Sequence, residues 1–217
     1  GVRKRSLQGG RLGAGLGRGH RHNELCGPAA RHIRGAGAFH QRCRHRCGSD
    51  AALRGNRPGD DYRLYPRRSG QGELRGEFAA APAGTVLAND AAGVYGSYTG
   101  SCTAPALPVA NLQEVTPGEA ELWTTVLGTT AQPYTIQVER VTMTGSDPNR
   151  NLLIRVTDKR LLDATGGVVQ GMSGSPIVQN GRLAAVLTHV LVNDPSRGYA
   201  IFATTMLEKA DAVASSK

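Results

Sequence analysis

The chain has 217 residues, of which 39% are hydrophobic and 20% charged, with a formal net charge of +9. No stretch is long and apolar enough to span a bilayer, which argues against a membrane-spanning helix in these residues. A charge of +9 favours an acidic partner such as nucleic acid or a membrane surface, but the charge is unevenly distributed. Residues 1–68 carry a balance of +12, and the remainder carries −3.

Residues 1–68 are anomalous, because they combine arginine, glycine, histidine and cysteine with few apolar residues in any regular period. Histidine and cysteine at close spacing allow a metal site, with His40, Cys43, His45 and Cys47 as the candidate ligands. This spacing matches no standard zinc pattern, and a second ligand pair is missing. We therefore expect neither a metal nor any other cofactor.

A nucleic-acid-binding arm is a second interpretation of residues 1–68, since an Arg/Gly mixture can follow phosphates and gain affinity by counterion release. Aromatic side chains on which bases could stack are scarce, with only Phe39, Tyr62 and Tyr65 in this segment. We expect no nucleic-acid partner, and we expect disorder or irregular coil before Arg68.

The rest of the chain predicts an all-β domain. Apolar, β-branched stretches separated by Gly, Pro, Asn or Asp predict short strands and hence a barrel or sandwich. These stretches are residues 122–127, 134–141, 152–156, 177–179, 183–192 and 199–203. A helix is predicted over residues 205–215, because its apolar side chains recur near helical spacing.

The run Gly171-Met172-Ser173-Gly174-Ser175-Pro176 lies between two of the predicted strands. Its glycines tolerate backbone angles closed to other residues, so the turn can expose the Ser173 hydroxyl. The same turn can aim the amides of Gly171 and Ser173 at one point, as an oxyanion hole requires. An α/β-hydrolase elbow is excluded, since the glycine expected at its fifth position is Ser175 and no helical pattern follows. An ordinary β-turn is the alternative.

The sequence around this run closely resembles the SpoIVB peptidase family, the sporulation serine peptidases with an S55 catalytic domain. The resemblance extends from about Gly72 to Leu207, and it rests on residues 156–162, 165–177, 179–183, 188–195 and 198–199. It implies a trypsin-like double β-barrel closed by a C-terminal helix. It also implies Ser173 as nucleophile and Asp158 as the aspartate implicated in activity.

Two of these site residues have structural alternatives. Asp158 follows a predicted strand and could equally cap a turn. His189 lies after Ser173, which does not match the position of the family's base. A strand histidine satisfied by backbone groups is the favoured role for His189.

The base histidine is missing from the expected place, and a neighbouring reading frame offers an explanation. When each codon of residues 34–48 is read from its second base, the segment permits the series Gly-Ala-Leu-Gly-His-Ser-Ile-Ser-Asp-Ala-Asp-Thr-Gly-Ala. This series resembles the family segment that carries the catalytic histidine, whose codon would straddle Ala38 and Phe39. His40 is adjacent to this place only by accident, and His20 is a loose alternative match. We therefore interpret residues 1–68 as translated out of frame. We expect the first barrel to be incomplete. The chain as its sequence stands, which we call the literal chain, should be nearly inactive.

Further expectations follow from the resemblance alone. Residues 69–217 form the peptidase domain, and the chain is a fragment or processed product, since the family usually carries a membrane segment and a PDZ domain before the peptidase. The implied substrate is a membrane-tethered regulator of sigma-factor processing, cleaved outside the membrane of the developing spore. The alternative function is an inactive β-domain that binds peptide or nucleic acid.

Overall fold

The computed structural model describes residues 86–96, 107–127 and 130–215, together with the backbone of short strand segments outside these ranges. The expectation of disorder before Arg68 concerns residues that mostly lie outside this description. In the described residues, no helix is both long and apolar enough to cross a membrane.

Eight strands are described before the second barrel. Six of them form one sheet in the order β6-β7-β3-β2-β1-β8, and β4 pairs with β5 in a separate two-stranded sheet. The strands are β1 (Ser6–Gln8), β2 (Leu25–Cys26), β3 (His32–Gly35), β4 (Arg63–Tyr65), β5 (Glu73–Arg75), β6 (Gly84–Asp90), β7 (Gly93–Tyr98) and β8 (Ala106–Pro108). The described strands of this sheet do not close, so the prediction of an incomplete first barrel is confirmed.

The second half forms a closed antiparallel barrel in the order β10-β11-β14-β13-β12-β9. Its strands are β9 (Gly118–Thr124), β10 (Gln132–Val141), β11 (Leu152–Val156), β12 (Pro176–Gln179), β13 (Arg182–Leu191) and β14 (Asp194–Phe202). Alternate residues of β9 and β11 are buried, as expected where one face of a strand lines a core. All six predicted strands are present, and the all-β class is confirmed.

Two α-helices accompany the barrel in the described residues. Helix α1 (Lys159–Thr165) is a short element that the strand pattern did not predict, and it ends at Gly166 in the left-handed conformation. Helix α2 (Ala203–Ser215) confirms the predicted closing helix and begins two residues earlier than predicted.

Helix α2 joins the two sheets. Its buried residues Met206 and Leu207 share a hydrophobic cluster with Tyr95 of β7. The Lys209 ammonium also contacts the Asp90 carboxylate of β6 at 2.5 Å. The β6-β7 hairpin is therefore attached to the second barrel through α2.

The segment after α1 packs tightly against the start of β14. The amide of Val168 donates to the carbonyl oxygen of Pro195 at 2.7 Å. At Gly167, which has φ of +128°, a Cβ would lie 2.2 Å from that same oxygen. Only glycine fits here, because both the backbone angle and the contact exclude a side chain.

We predict that Gly167→Ala lowers the free energy of unfolding by about 3 kcal/mol or more, since strain and overlap add. The matched control is Gly166→Ala, where φ is +73° and no atom lies within 4 Å of the added Cβ. Gly166→Ala should lower the free energy of unfolding by only about 1 kcal/mol, because only the left-handed backbone conformation opposes the side chain. Urea denaturation measures both values, and equal losses would contradict the role of the Pro195 contact.

Candidate active site

Ser173 lies on a tight turn that leads directly into β12. Gly171 has φ of +100° and Gly174 has φ of +95°, both in the region that favours glycine. Ser173 itself is partly exposed, whereas Gly174 and Ser175 are buried. The turn thus presents one hydroxyl at the surface of the barrel, as the sequence pattern predicts.

Three hydrogen bonds hold this turn against β13. The amide of Gly174 donates to the carbonyl oxygen of Leu187 at 2.7 Å. The amide of Leu187 donates to the carbonyl oxygen of Ser175 at 2.9 Å. The Ser173 hydroxyl donates to the carbonyl oxygen of Thr188 at 2.7 Å. We call this set the β13 clamp. It fixes the nucleophile relative to the barrel edge.

The amides of the turn divide into two groups. Those of Met172, Gly174 and Ser175 each donate to a backbone carbonyl at 2.7 to 3.2 Å. Within the described part of the chain, the amides of Gly171 and Ser173 donate no such bond. These are the two amides predicted to form the oxyanion hole, and that assignment stays a prediction.

The residues that flank Ser173 in the sequence have different environments. Met172 is completely buried in the barrel core, so its side chain cannot line a substrate pocket. Gln170 is exposed at the surface beside the turn. Of these two residues, Gln170 is the one accessible to a substrate.

The clamp's acceptor residue, Thr188, is itself fixed by its side chain. Its hydroxyl lies 2.7 Å from the carbonyl oxygen of Asn149 and 2.9 Å from that of Tyr199, so it bridges two neighbouring backbone segments. The next residue, His189, lies in β13 opposite Tyr199 and is partly buried. The interpretation of His189 as a strand residue rather than the base stays a prediction.

Asp158 caps helix α1. Its carboxylate accepts the backbone amide of Arg160 at 2.8 Å and that of Thr135 at 3.2 Å. The Arg160 guanidinium also donates to it through Nε at 3.1 Å and Nη2 at 2.7 Å. This is the structural role that the sequence left open for Asp158.

Asp158 and Ser173 lie at the same end of the barrel. Strands β11, β10, β9 and β12 pair antiparallel in that order, so the end of β11 and the beginning of β12 lie at one end. Asp158 follows the end of β11, and Ser173 precedes the beginning of β12. The assignment of Asp158 as the catalytic aspartate stays a prediction.

The partners of Asp158 also fix its charge. The Arg160 side chain, helped by the amides of Thr135 and Arg160, lowers the pKa of Asp158 to about 2 against a smaller desolvation effect. The carboxylate is therefore charged at neutral pH and already saturated with donors. It holds the beginning of α1, and its proposed catalytic role stays a prediction.

We predict that Asp158→Ala destabilises the fold by about 1 to 2 kcal/mol at neutral pH, because the cap is lost. Since folding lowers the pKa of Asp158, its stabilising effect is present above pH 4 and disappears as the pH falls from about 4 to 2. The difference in the free energy of unfolding between wild type and Asp158→Ala, measured by denaturant titration at each pH, should therefore decrease over that range. The control Asp163→Ala changes an exposed residue of the same helix. A difference in the free energy of unfolding that does not change with pH would contradict this role of Asp158.

A second prediction separates capping from catalysis. In a protein whose activity is measurable, Asp158→Asn should keep kcat within about threefold of wild type, since asparagine caps helices as well as aspartate. An aspartate that orients a catalytic histidine behaves differently, because the same change lowers kcat by about 10⁴. A loss of that size in steady-state kinetics would place Asp158 in the catalytic set.

No group of three or more histidine, cysteine or acidic side chains that could hold a metal ion is found in the described ranges. The candidate ligands His40, Cys43, His45 and Cys47 lie outside those ranges, as do His20 and the site between Ala38 and Phe39.

An antiparallel barrel with a closing helix and a serine on a glycine turn defines the class of trypsin-like serine peptidases. The SpoIVB peptidase S55 family matches residues 65–207. The chain belongs to this family, and it is a serine peptidase, a hydrolase, by membership. No match was found among curated proteins.

Several solved structures are similar to this chain. The HtrA-type protease AlgW with decapeptide has 13% identity and a TM-score of 0.46, over 70% of this chain and 44% of its own. The active form of the Rv3671c protease from M. tuberculosis has 16% identity and a TM-score of 0.43, over 72% of this chain and 81% of its own. Its inactive form has a TM-score of 0.41 at the same identity, over 72% and 88%. This chain thus spans less than half of the AlgW chain.

Proposed function

We propose that this domain is a serine endopeptidase in which Ser173 is the nucleophile and the amides of Gly171 and Ser173 bind the oxyanion. The observation that carries the proposal is the β13 clamp, which holds a partly exposed serine hydroxyl on an otherwise buried turn. Family membership supports the reaction type.

The reaction requires the Ser173 proton to change partners. In the resting arrangement the hydroxyl donates to the Thr188 carbonyl oxygen, which is too weak a base to remove the proton. A histidine must accept it as Oγ attacks the substrate carbonyl carbon, and must then deliver it to the leaving amine. The negative charge that develops on the carbonyl oxygen is stabilised by the amides of Gly171 and Ser173.

The substrate reaches Ser173 along β13. Strand β12 pairs with β13 only as far as Val186, and the turn continues this pairing to Thr188. Beyond Thr188, the described strands cover β13 on one side only, where β14 pairs with it. An extended peptide added to the other side would place its scissile carbonyl beside Ser173. This arrangement suits cleavage within a chain rather than at its end.

The biological setting is a finer part of the proposal. Membership in the SpoIVB peptidase S55 family supports cleavage of a membrane-tethered regulator in sporulation signalling, outside the membrane of the developing spore. A protein substrate follows from the peptidase class alone.

The proposal includes the reading-frame hypothesis for residues 1–68. The family match begins at residue 65, close to where we expect the frame to be regained. The literal chain then lacks an assignable base, and the frame-corrected protein has one. Resequencing the coding DNA for residues 1–71 tests this, and a single uninterrupted frame would contradict it.

We predict that Ser173→Ala in the frame-corrected protein lowers kcat for cleavage of a candidate regulator or casein at least 10³-fold, because the covalent step is lost. The matched control, Ser215→Ala, removes a hydroxyl at the end of α2 and should leave the rate unchanged. Cleavage that survives Ser173→Ala would show that the nucleophile is elsewhere.

A further inference from the structure

Strand β13 carries one extra residue at Thr188. The residues on either side of Thr188 pair with Ala200 and Tyr199, which are consecutive residues of β14. Such a β-bulge changes the direction of the backbone groups of its strand, and bulges are frequent beside active sites. The bulged residue is also the one whose carbonyl oxygen accepts the Ser173 hydroxyl. The position of the nucleophile therefore depends on the shape of this bulge.

The side chain of Thr188 holds the bulge in place. Thr188 is 1% exposed, and its hydroxyl lies 2.7 Å from the carbonyl oxygen of Asn149 and 2.9 Å from that of Tyr199. The second contact connects the bulge to β14, and the first connects it to the short 3₁₀ helix Pro148–Arg150. Loss of the hydroxyl would remove a donor from both carbonyl groups, which is costly away from water. The hydroxyl thus fixes the carbonyl group that holds Ser173.

Asn149 connects the bulge to the other sheet. Its side-chain amide donates to the carbonyl oxygen of Ala91, in the turn of the β6-β7 hairpin. The same turn is braced by Asp90, whose carboxylate contacts helix α2. A chain of hydrogen bonds therefore leads from the β6-β7 turn through Asn149 and Thr188 to Ser173.

This chain of hydrogen bonds connects the two parts of the molecule that the reaction must align. The base is expected from the first barrel, of which the β6-β7 hairpin is a part. The base must lie within hydrogen-bond reach of the nucleophile, which belongs to the second barrel. A misplacement of about 1 Å between reacting groups can lower the rate about 100-fold. A fixed connection between the hairpin and Ser173 therefore favours catalysis.

We infer that Thr188 is a positioning residue of the peptidase. Its hydroxyl sets the β13 bulge, and Asn149 ties that bulge to the first sheet. The inference rests on the proposed function, because the position of Ser173 matters for catalysis only when Ser173 is the nucleophile. It gives the Thr188 side chain a role separate from that of its backbone carbonyl, which belongs to the β13 clamp.

The first test uses the 217-residue chain, because amide hydrogen exchange requires no activity. Thr188→Val keeps the shape of the side chain and removes the hydroxyl. We expect exchange at the amides of Gly174 and Leu187, followed residue by residue by NMR, to become about tenfold faster, because the clamp opens more often. Thr188→Ser keeps the hydroxyl and should hold both rates within about threefold of wild type.

The matched control is Thr165→Val. The Thr165 hydroxyl also bridges two backbone carbonyl groups, those of Leu161 and Gly167, but it lies outside the chain of hydrogen bonds to Ser173. Its loss should leave exchange at the two clamp amides unchanged.

Asn149→Ala tests the connection to the first sheet. The change removes the contact with Ala91 and leaves the barrel core intact, so it also provides a test where Thr188→Val does not fold. We expect exchange at the same two clamp amides to become at least about threefold faster. The control Asn193→Ala changes an exposed asparagine between β13 and β14 and should leave exchange unchanged.

The second test measures casein cleavage by the frame-corrected protein. Thr188→Val should lower kcat at least about tenfold and change KM by less than about threefold, because the buried hydroxyl positions the nucleophile and does not touch the substrate. Thr188→Ser should restore kcat. This split, with its rescue by serine, is not expected from a loss of stability alone.

The outcomes separate this inference from the proposed function. Clamp amides whose exchange is unchanged in Thr188→Val and in Asn149→Ala would overturn the inference. Faster exchange with unchanged kcat would overturn the positioning role and leave the nucleophile assignment intact. Cleavage that survives Ser173→Ala would overturn the proposed function and this inference together.

Discussion

The candidate site depends on the β13 clamp, the three hydrogen bonds between residues 173–175 and residues 187–188. Two of these bonds extend the β12-β13 ladder past its last strand pair, and the third uses the nucleophile's own hydroxyl. Because the clamp continues a sheet, Ser173 is held as rigidly as the strands of the barrel. The glycines on either side allow the chain to leave the ladder without strain.

The clamp also links the nucleophile to the rest of the site. Thr188, whose carbonyl holds the Ser173 hydroxyl, is fixed in turn by contacts of its side chain with the backbone at Asn149 and Tyr199. On the other side, the segment from Gly167 to Ser173 is anchored to Pro195 at the start of β14. The turn, β13 and the start of β14 therefore form one connected unit.

Much of the second barrel was predictable from the sequence, because its strands alternate and end at turn residues. The stretches at residues 152–156 and 177–179 match their strands closely, since apolar residues predominate in both. Helix α1 was not predicted, since seven residues are too few to establish a helical period. The β6-β7 hairpin was also missed, although Asp90, which accepts the Ala92 amide, is a local turn signal.

The site was predictable only in part, and the reason is physical. The turn around Ser173 has a distinctive residue pattern, whereas the Thr188 carbonyl that holds its hydroxyl is a backbone group that any residue could supply. The position of Asp158 relative to Ser173 depends on strand register across the barrel, which residue types alone do not determine. Its capping role has a local signal, an aspartate directly before α1, and the sequence offered that role as an alternative.

The central claim is that Ser173 is a competent nucleophile that lacks only its base. Treatment of the literal chain and the frame-corrected protein with a fluorophosphonate, followed by peptide mass spectrometry, measures this directly. We expect rapid modification at Ser173 in the frame-corrected protein and modification at least 10³-fold slower in the literal chain. Equal rates in both proteins, or modification at another serine, would contradict it.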